Sequence, residues 1–212
     1  ALIKPKDFAR YKDWKKSDFP KKYIIVYQDS LVRYFKRRYK KKYSVLKFYS
    51  RHTIYKLGNL GLIRMNGIGS PHAATLFEEL IEVGGKEFIN IGIAGGLSQE
   101  GVFLCERAIR DEGTSHHYIA HGKYSYPNTL LTKRLESSLK IKGITFSKGT
   151  TWTIDAPYRE TKAEVEKYRR EGVKTVEMEA SALFTVAKVR KVKIASAFVV
   201  SDVLDKNWVK NI

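Results

Sequence analysis

Short apolar runs rich in β-branched residues alternate along this chain with stretches of helical period, and that alternation limits the fold most. It is the signature of an α/β sheet. Strands are expected over 23–27, 44–49, 61–65, 88–93, 102–109, 144–148, 175–177 and 194–200. The first leads into a helix over 31–38. A second helix follows Gly67-Ile68-Gly69-Ser70-Pro71, with Ser70 placed to cap it and Pro71 in its first turn. Its apolar residues Ala73, Leu76, Phe77, Leu80 and Ile81 recur at helical spacing, and Gly84-Gly85 stops it. Residues 160–172 are polar nearly all round, with Lys162/Glu166 and Glu166/Arg170 one turn apart, as on a surface helix. Over 179–189 an apolar stripe of Ala180, Leu183, Phe184 and Ala187 should pack on the sheet.

No repeat and no flexible linker divides the 212 residues, so one domain is expected. A hydrophobic fraction of 43%, with 12% aromatics, suffices for a core and excludes a disordered tail or a coiled coil. No apolar run reaches the ~20 residues of a bilayer span. The opening Ala1-Leu2-Ile3-Lys4-Pro5 lacks the apolar segment of a signal peptide. The single cysteine, Cys105, cannot form an intramolecular disulfide. These features point to a soluble cytoplasmic protein with no membrane partner. Scarcity of Gln, Met and Cys beside abundant Lys, Glu, Tyr and Ile resembles the bias of hyperthermophile proteins.

The net charge of +18 is unevenly placed. Residues 1–56 hold 18 Lys/Arg against 4 acidic residues, while the other 156 hold 22 against 18. The peak is Lys36-Arg37-Arg38-Tyr39-Lys40-Lys41-Lys42. Such a run can attract phosphates, and Tyr34, Tyr39 and Tyr43 could stack bases. A solvated helix face is the favoured reading, a rim that draws anionic substrates to a cleft is another, and nucleic-acid binding is not expected.

Four segments can carry chemistry. Gly92-Ile93-Ala94-Gly95-Gly96 ends a strand, where bare backbone can approach a ligand or form an anion nest, or simply turn the chain. Glu177 and Glu179 flank Met178 at a strand-to-helix junction; they could complement the helix N-terminus or accept sugar hydroxyls. Trp152, Asp155 and Arg159 could stack on and hydrogen-bond a planar heterocycle, or Asp155 or Thr153 could cap the next helix. Asp202 ends a buried strand, as a proton donor or a turn residue. His116, His117 and His121 have no metal-ligand spacing, and no metal is expected.

In this order, these segments resemble the nucleoside phosphorylases of the uridine phosphorylase type. The likeness spans about residues 22–205 and also takes in Glu78-Glu79-Leu80 and Asp111-Glu112-Gly113-Thr114-Ser115-His116-His117-Tyr118. It implies a three-layer α/β/α sandwich around a mixed, partly barrel-like sheet, usually in a dimer-based hexamer. It implies phosphate-dependent cleavage of a nucleoside to free base and ribose 1-phosphate, with inorganic phosphate as co-substrate and no other cofactor. Glu179 would hold the ribose hydroxyls, with Glu177 and Met178 beside it. Trp152 would stack on the base, in one hollow with Glu179. Arg159 would read a pyrimidine carbonyl, and Asp202 would protonate a purine.

Relatives carry Arg and Thr at the positions of Asn90 and Ile93, and an arginine-bearing glycine loop where this chain reads Tyr27-Gln28-Asp29-Ser30-Leu31-Val32-Arg33. Gly92 and Gly95, with Arg33, Lys47 or Arg51, are then the expected phosphate contacts. Uridine-type activity is favoured and purine cleavage possible, with a hydrolytic nucleosidase or a non-catalytic nucleoside binder as alternatives. The chain stops ten residues after Asp202, where the family continues into a closing helix, so a truncated or incomplete sequence is expected.

Overall fold

A computed structural model describes residues 1–204 and the backbone of 209–210. In chain order the elements are α1 (Pro5–Tyr11), β1 (Lys22–Val26), α2 (Asp29–Arg38), β2 (Ser44–Lys47), β3 (Thr53–Leu57), β4 (Leu60–Arg64) and α3 (Ser70–Glu82). There follow β5 (Glu87–Gly96), β6 (Gly101–Asp111), β7 (Tyr124–Ser125), α4 (Thr129–Ile141) and β8 (Phe146–Ile154). The last are α5 (Lys162–Arg170), β9 (Val173–Glu177), α6 (Ala180–Arg190), β10 (Lys193–Val203) and β11 (Val209–Lys210).

One mixed sheet contains every strand. Strands β5, β10, β6, β8 and β9 pair in a closed ring, and β1, β4, β3 and β2 extend from β5 as an open wing. The α/β fold with a partly barrel-like sheet is therefore as the sequence implied. Strand β5 is the hinge of this arrangement. Its first half pairs in parallel with β1 and β10, and its last two residues pair antiparallel with β9.

The glycine-rich segment expected to turn the chain is instead the end of this strand. Gly95 is laddered to both Val176 and Asp202, so its backbone serves the sheet and forms no nest. Three strands crowd there: a Cβ on Gly96 would lie 2.5 Å from the Gln99 carbonyl oxygen. Gly92 is buried beside Tyr27 and Phe198.

Helices α3 and α6 cover one face, where Leu76, Phe77, Leu80, Leu183 and Phe184 join the main core with Phe88, Phe103 and Phe198. Helix α2 covers the wing's other face through Val32 and Phe35, packed with Val26 and Leu62. Tyr168 of α5 closes a third cluster around Trp152, Leu97 and Ile109. Among the described residues no helix is long and apolar enough to cross a membrane.

Two caps differ from expectation. Gly69, not Ser70, precedes the first turn of α3, and the Ser70 hydroxyl donates to the Met178 carbonyl at 2.7 Å. Neither Asp155 nor Thr153 caps α5. Thr161 does so, with Glu164 returning the bond, while Asp155 accepts from the Gly113 N–H at 2.8 Å.

Candidate active site

The ends of β1, β5, β9 and β10 open on one side into a cleft of about 630 Å³. Ligands in open α/β sheets bind at such carboxyl ends, and the volume suits a small molecule. Tyr27 and Gln28 enter from β1, Ile93 to Gly95 from β5, Val176 to Glu179 from β9, and Ser201 and Asp202 from β10. Pro157, Tyr158 and Glu160 close the side toward α5, and Ile68 the side toward α3.

The two carboxylates after β9 have separate tasks. Glu177 is bound on all sides: its Oε1 accepts from the Thr153 hydroxyl at 2.5 Å, and its Oε2 from the N–H groups of Glu179 and Ala180 at 2.8 and 2.7 Å. It therefore caps α6 from the preceding strand, using donors that a helix start leaves unpaired. Glu179 is anchored by one oxygen, which accepts from the Gly69 N–H at 2.6 Å. Gly69 aims that N–H by adopting φ 97°, a backbone state that costs other residues energy. Both residues belong to the cleft wall, and Met178 stands between them.

Burial pushes the Glu177 carboxyl up to about 8, with the neighbouring Glu179 charge adding and its three hydrogen bonds opposing. Glu179 is raised as well, chiefly by burial, against the Gly69 and Met178 N–H groups. Such a pair resists carrying two negative charges at once.

The same cleft wall carries a second carboxyl pair. Burial and then the Asp202 charge push Glu160 up to about 7. Asp202 also accepts from the Ser201 hydroxyl. Glu160 lies inside a segment that the sequence singled out, yet no role was assigned to it, because its signal is burial rather than residue type. Tyr27 was missed in the same way. Its hydroxyl is buried without a hydrogen-bond partner among the described residues, and burial with the charges of Glu179 and Glu177 holds it protonated.

Several expected contacts lie elsewhere. Trp152 is fully buried in the third cluster, its ring 4.6 Å from that of Tyr168 and its indole N–H donating to Asp111 at 2.8 Å. It shares no hollow with Glu179 and has no free face for a base. The cleft's aromatic rings are those of Tyr27 and Tyr158. Arg159 is exposed and absent from the lining. Arg33 and Arg51 line a different depression, with Arg64 and Lys36. Gly92 lies behind the cleft surface, whereas Gly95 is on it. Asn90 is buried and donates to Ser196 at 3.3 Å. No Lys, Arg or His lines the cleft among the described residues.

Comparison with known proteins places this geometry. A model of the phosphorylase superfamily matches residues 27–210, and the chain belongs to that family. It is 30% identical over 148 residues to a purine nucleoside phosphorylase of Plasmodium vivax, covering 64% of this chain and 58% of that protein. It is 28% identical over 138 residues to a uridine phosphorylase of Haemophilus influenzae, covering 57% of this chain and 55% of the other. The chain thus spans little more than half the length of these curated relatives. In structure it is similar to an AMP nucleosidase of Bacteroides thetaiotaomicron, with a TM-score of 0.81, 22% identity and coverage of 93% of this chain and 87% of that one.

Proposed function

We propose that the cleft cleaves the N-glycosidic bond of a nucleoside, with phosphate as the acceptor. The observation that carries this reading is Glu179, held by the Gly69 N–H beside Met178 on the wall of a superfamily cleft. A carboxylate so placed accepts the two hydroxyls of a ribose. As the bond breaks, positive charge grows on the sugar, and the Glu177/Glu179 pair lies on that side. Negative charge grows on the base. Glu160, raised to about 7, keeps a proton near neutral pH and passes it to the base, with Asp202 adjusting its affinity. The Tyr27 hydroxyl supplies a further hydrogen bond to the bound nucleoside.

An acid pair in the cleft, with Arg159 outside it, favours a base that leaves protonated. A purine fits this better than uracil. A second reading, hydrolysis by water, has its own support: four carboxylates and no cation line the described cleft, which disfavours an anionic acceptor.

The deciding experiment is release of free base from inosine, adenosine and uridine, with and without phosphate. Release that requires phosphate and yields ribose 1-phosphate supports the first reading. Equal release without phosphate supports hydrolysis, and no release from any nucleoside overturns both.

A further inference from the structure

Beside the cleft, on the other side of the β1–α2 junction, lies a depression of about 270 Å³ with the opposite charge. Gln28 lines the cleft and its neighbour Asp29 the depression; Ile68 lines the cleft and Asn66 the depression. Four cations face it: Arg33 and Lys36 from α2, Arg51 from the turn before β3, and Arg64 from the end of β4. Asp29 is the single carboxylate on its wall.

We infer that this depression is a second site, which binds a phosphate group either free or carried by a nucleotide. Two of its cations are held in place. Arg64 is fixed by Asp29 at 3.0 Å, and the Lys36 ammonium lies 4.6 Å from the centroid of the Tyr55 ring. The Asp29 charge is thereby spent on Arg64. Arg33 and Arg51 form no ion pair among the described residues, so an excess of positive charge converges on a concave surface. Arg51, at φ 67°, reaches it from the last residue of the short turn Tyr49–Arg51 before β3. A planar guanidinium fork matches phosphate oxygens two at a time, which a loose lysine patch does not. A phosphate dianion fits the size and the charge. A nucleobase or a neutral sugar would leave the cations unpaired.

The test is calorimetric titration of the whole chain at low salt with inorganic phosphate, AMP and adenosine. The wild type should bind inorganic phosphate saturably. Arg33→Ala and Arg51→Asn should each weaken binding at least fivefold; both residues are exposed, and Asn tolerates the left-handed backbone at that position. Lys41→Ala, an exposed cation off the depression, should leave binding unchanged, as should Glu179→Gln in the cleft. AMP binding at least tenfold tighter than inorganic phosphate, and lost in Arg51→Asn, identifies a nucleotide as the ligand; equal affinities identify free phosphate. The inference is overturned if the wild type fails to bind phosphate, if the arginine variants bind like wild type, or if Lys41→Ala weakens binding as much as they do. Base release is scored separately. Its absence from a protein that binds phosphate here defeats the proposed cleavage and leaves this site standing.

Discussion

The cleft and the depression beside it meet at two shared loops, after β1 and after β4, and carry opposite charge. The cleft wall holds Glu160, Glu177, Glu179 and Asp202 without a described cation; the depression holds four cations and one carboxylate. A chain of net charge +18 has thus kept its lysines and arginines off the surface proposed to touch the sugar and base. Net charge says what a molecule attracts from a distance, whereas the sign at each wall decides what is held. Burial sharpens the contrast. Burial raises the Glu160 and Glu177 carboxyls to about 7 and about 8, so their neutral forms persist near pH 7, while Arg33 and Arg51 are exposed to solvent.

The largest expected break in this contrast is Glu179→Ala. Removing the carboxylate proposed to orient the sugar should cost about 100-fold in kcat/KM on every nucleoside. A loss confined to one base would contradict a sugar contact. Next, Glu160→Gln should lower purine cleavage about tenfold, because the amide has no proton to pass to the departing base. It should also remove the fall in kcat/KM above pH 7 that loss of the Glu160 proton causes. Asp202→Asn should hurt purines more than uridine, and equal losses on both would place Asp202 outside the chemistry.

A smaller effect concerns stability. The folded Glu177 carboxyl titrates at about 8 and the unfolded one at 4.5, so between those values the folded chain binds more protons. Stability from this group is complete below pH 4.5 and is lost as pH rises toward 8, by up to about 1.4 kcal/mol per pH unit. Glu160 and Glu79, both raised to about 7 by burial, act with the same sign but are spent by pH 7. The window from 7 to 8 therefore belongs to the Glu177 region. Urea unfolding at pH 7 and 8 should show a decline in the wild type and a flatter response in Glu177→Gln. An amide fits that site, since its oxygen can face the Glu179 and Ala180 N–H groups and its nitrogen the Thr153 hydroxyl.

Much of the frame was legible in the residues because its signals are local. The stripe at Leu76, Phe77 and Leu80 foretold α3, and Glu177-Met178-Glu179 marked the junction that the cleft uses. Less local features escaped. Helix α4 went unassigned although Asn128 caps it, accepting from the Leu131 N–H at 2.9 Å. Strand β3 was missed as well. Strand β8 was expected to end at Lys148 but runs to Ile154, across a glycine at φ 154° that broke its apolar run. The strand length of β5 was hidden by glycines whose purpose is crowding between neighbouring strands. Arg33 and Arg51, each expected as a phosphate contact, both line the neighbouring depression and not the cleft. Sequence distance says nothing of which side of a loop a side chain leaves.

Trp152 is the sharpest instance. From Thr150 to Ile154 every residue of β8 is buried, so the alternation that normally reveals which face a strand side chain takes is absent. An indole beside an acid and an arginine suggested a stacking platform, but the sheet turns it inward onto Tyr168 and Asp111. Trp152→Phe separates the two roles. A structural Trp152 predicts a stability loss of about 1–3 kcal/mol, from the buried volume removed and the lost indole hydrogen bond to Asp111, read by urea unfolding. It also predicts a KM for nucleoside within about twofold of wild type, since a residue that does not meet the substrate adds nothing to its binding. A KM raised about tenfold with stability intact would require the indole to face the cleft. It would also remove the separation between the carboxylate walls of the cleft and the apolar cluster behind them.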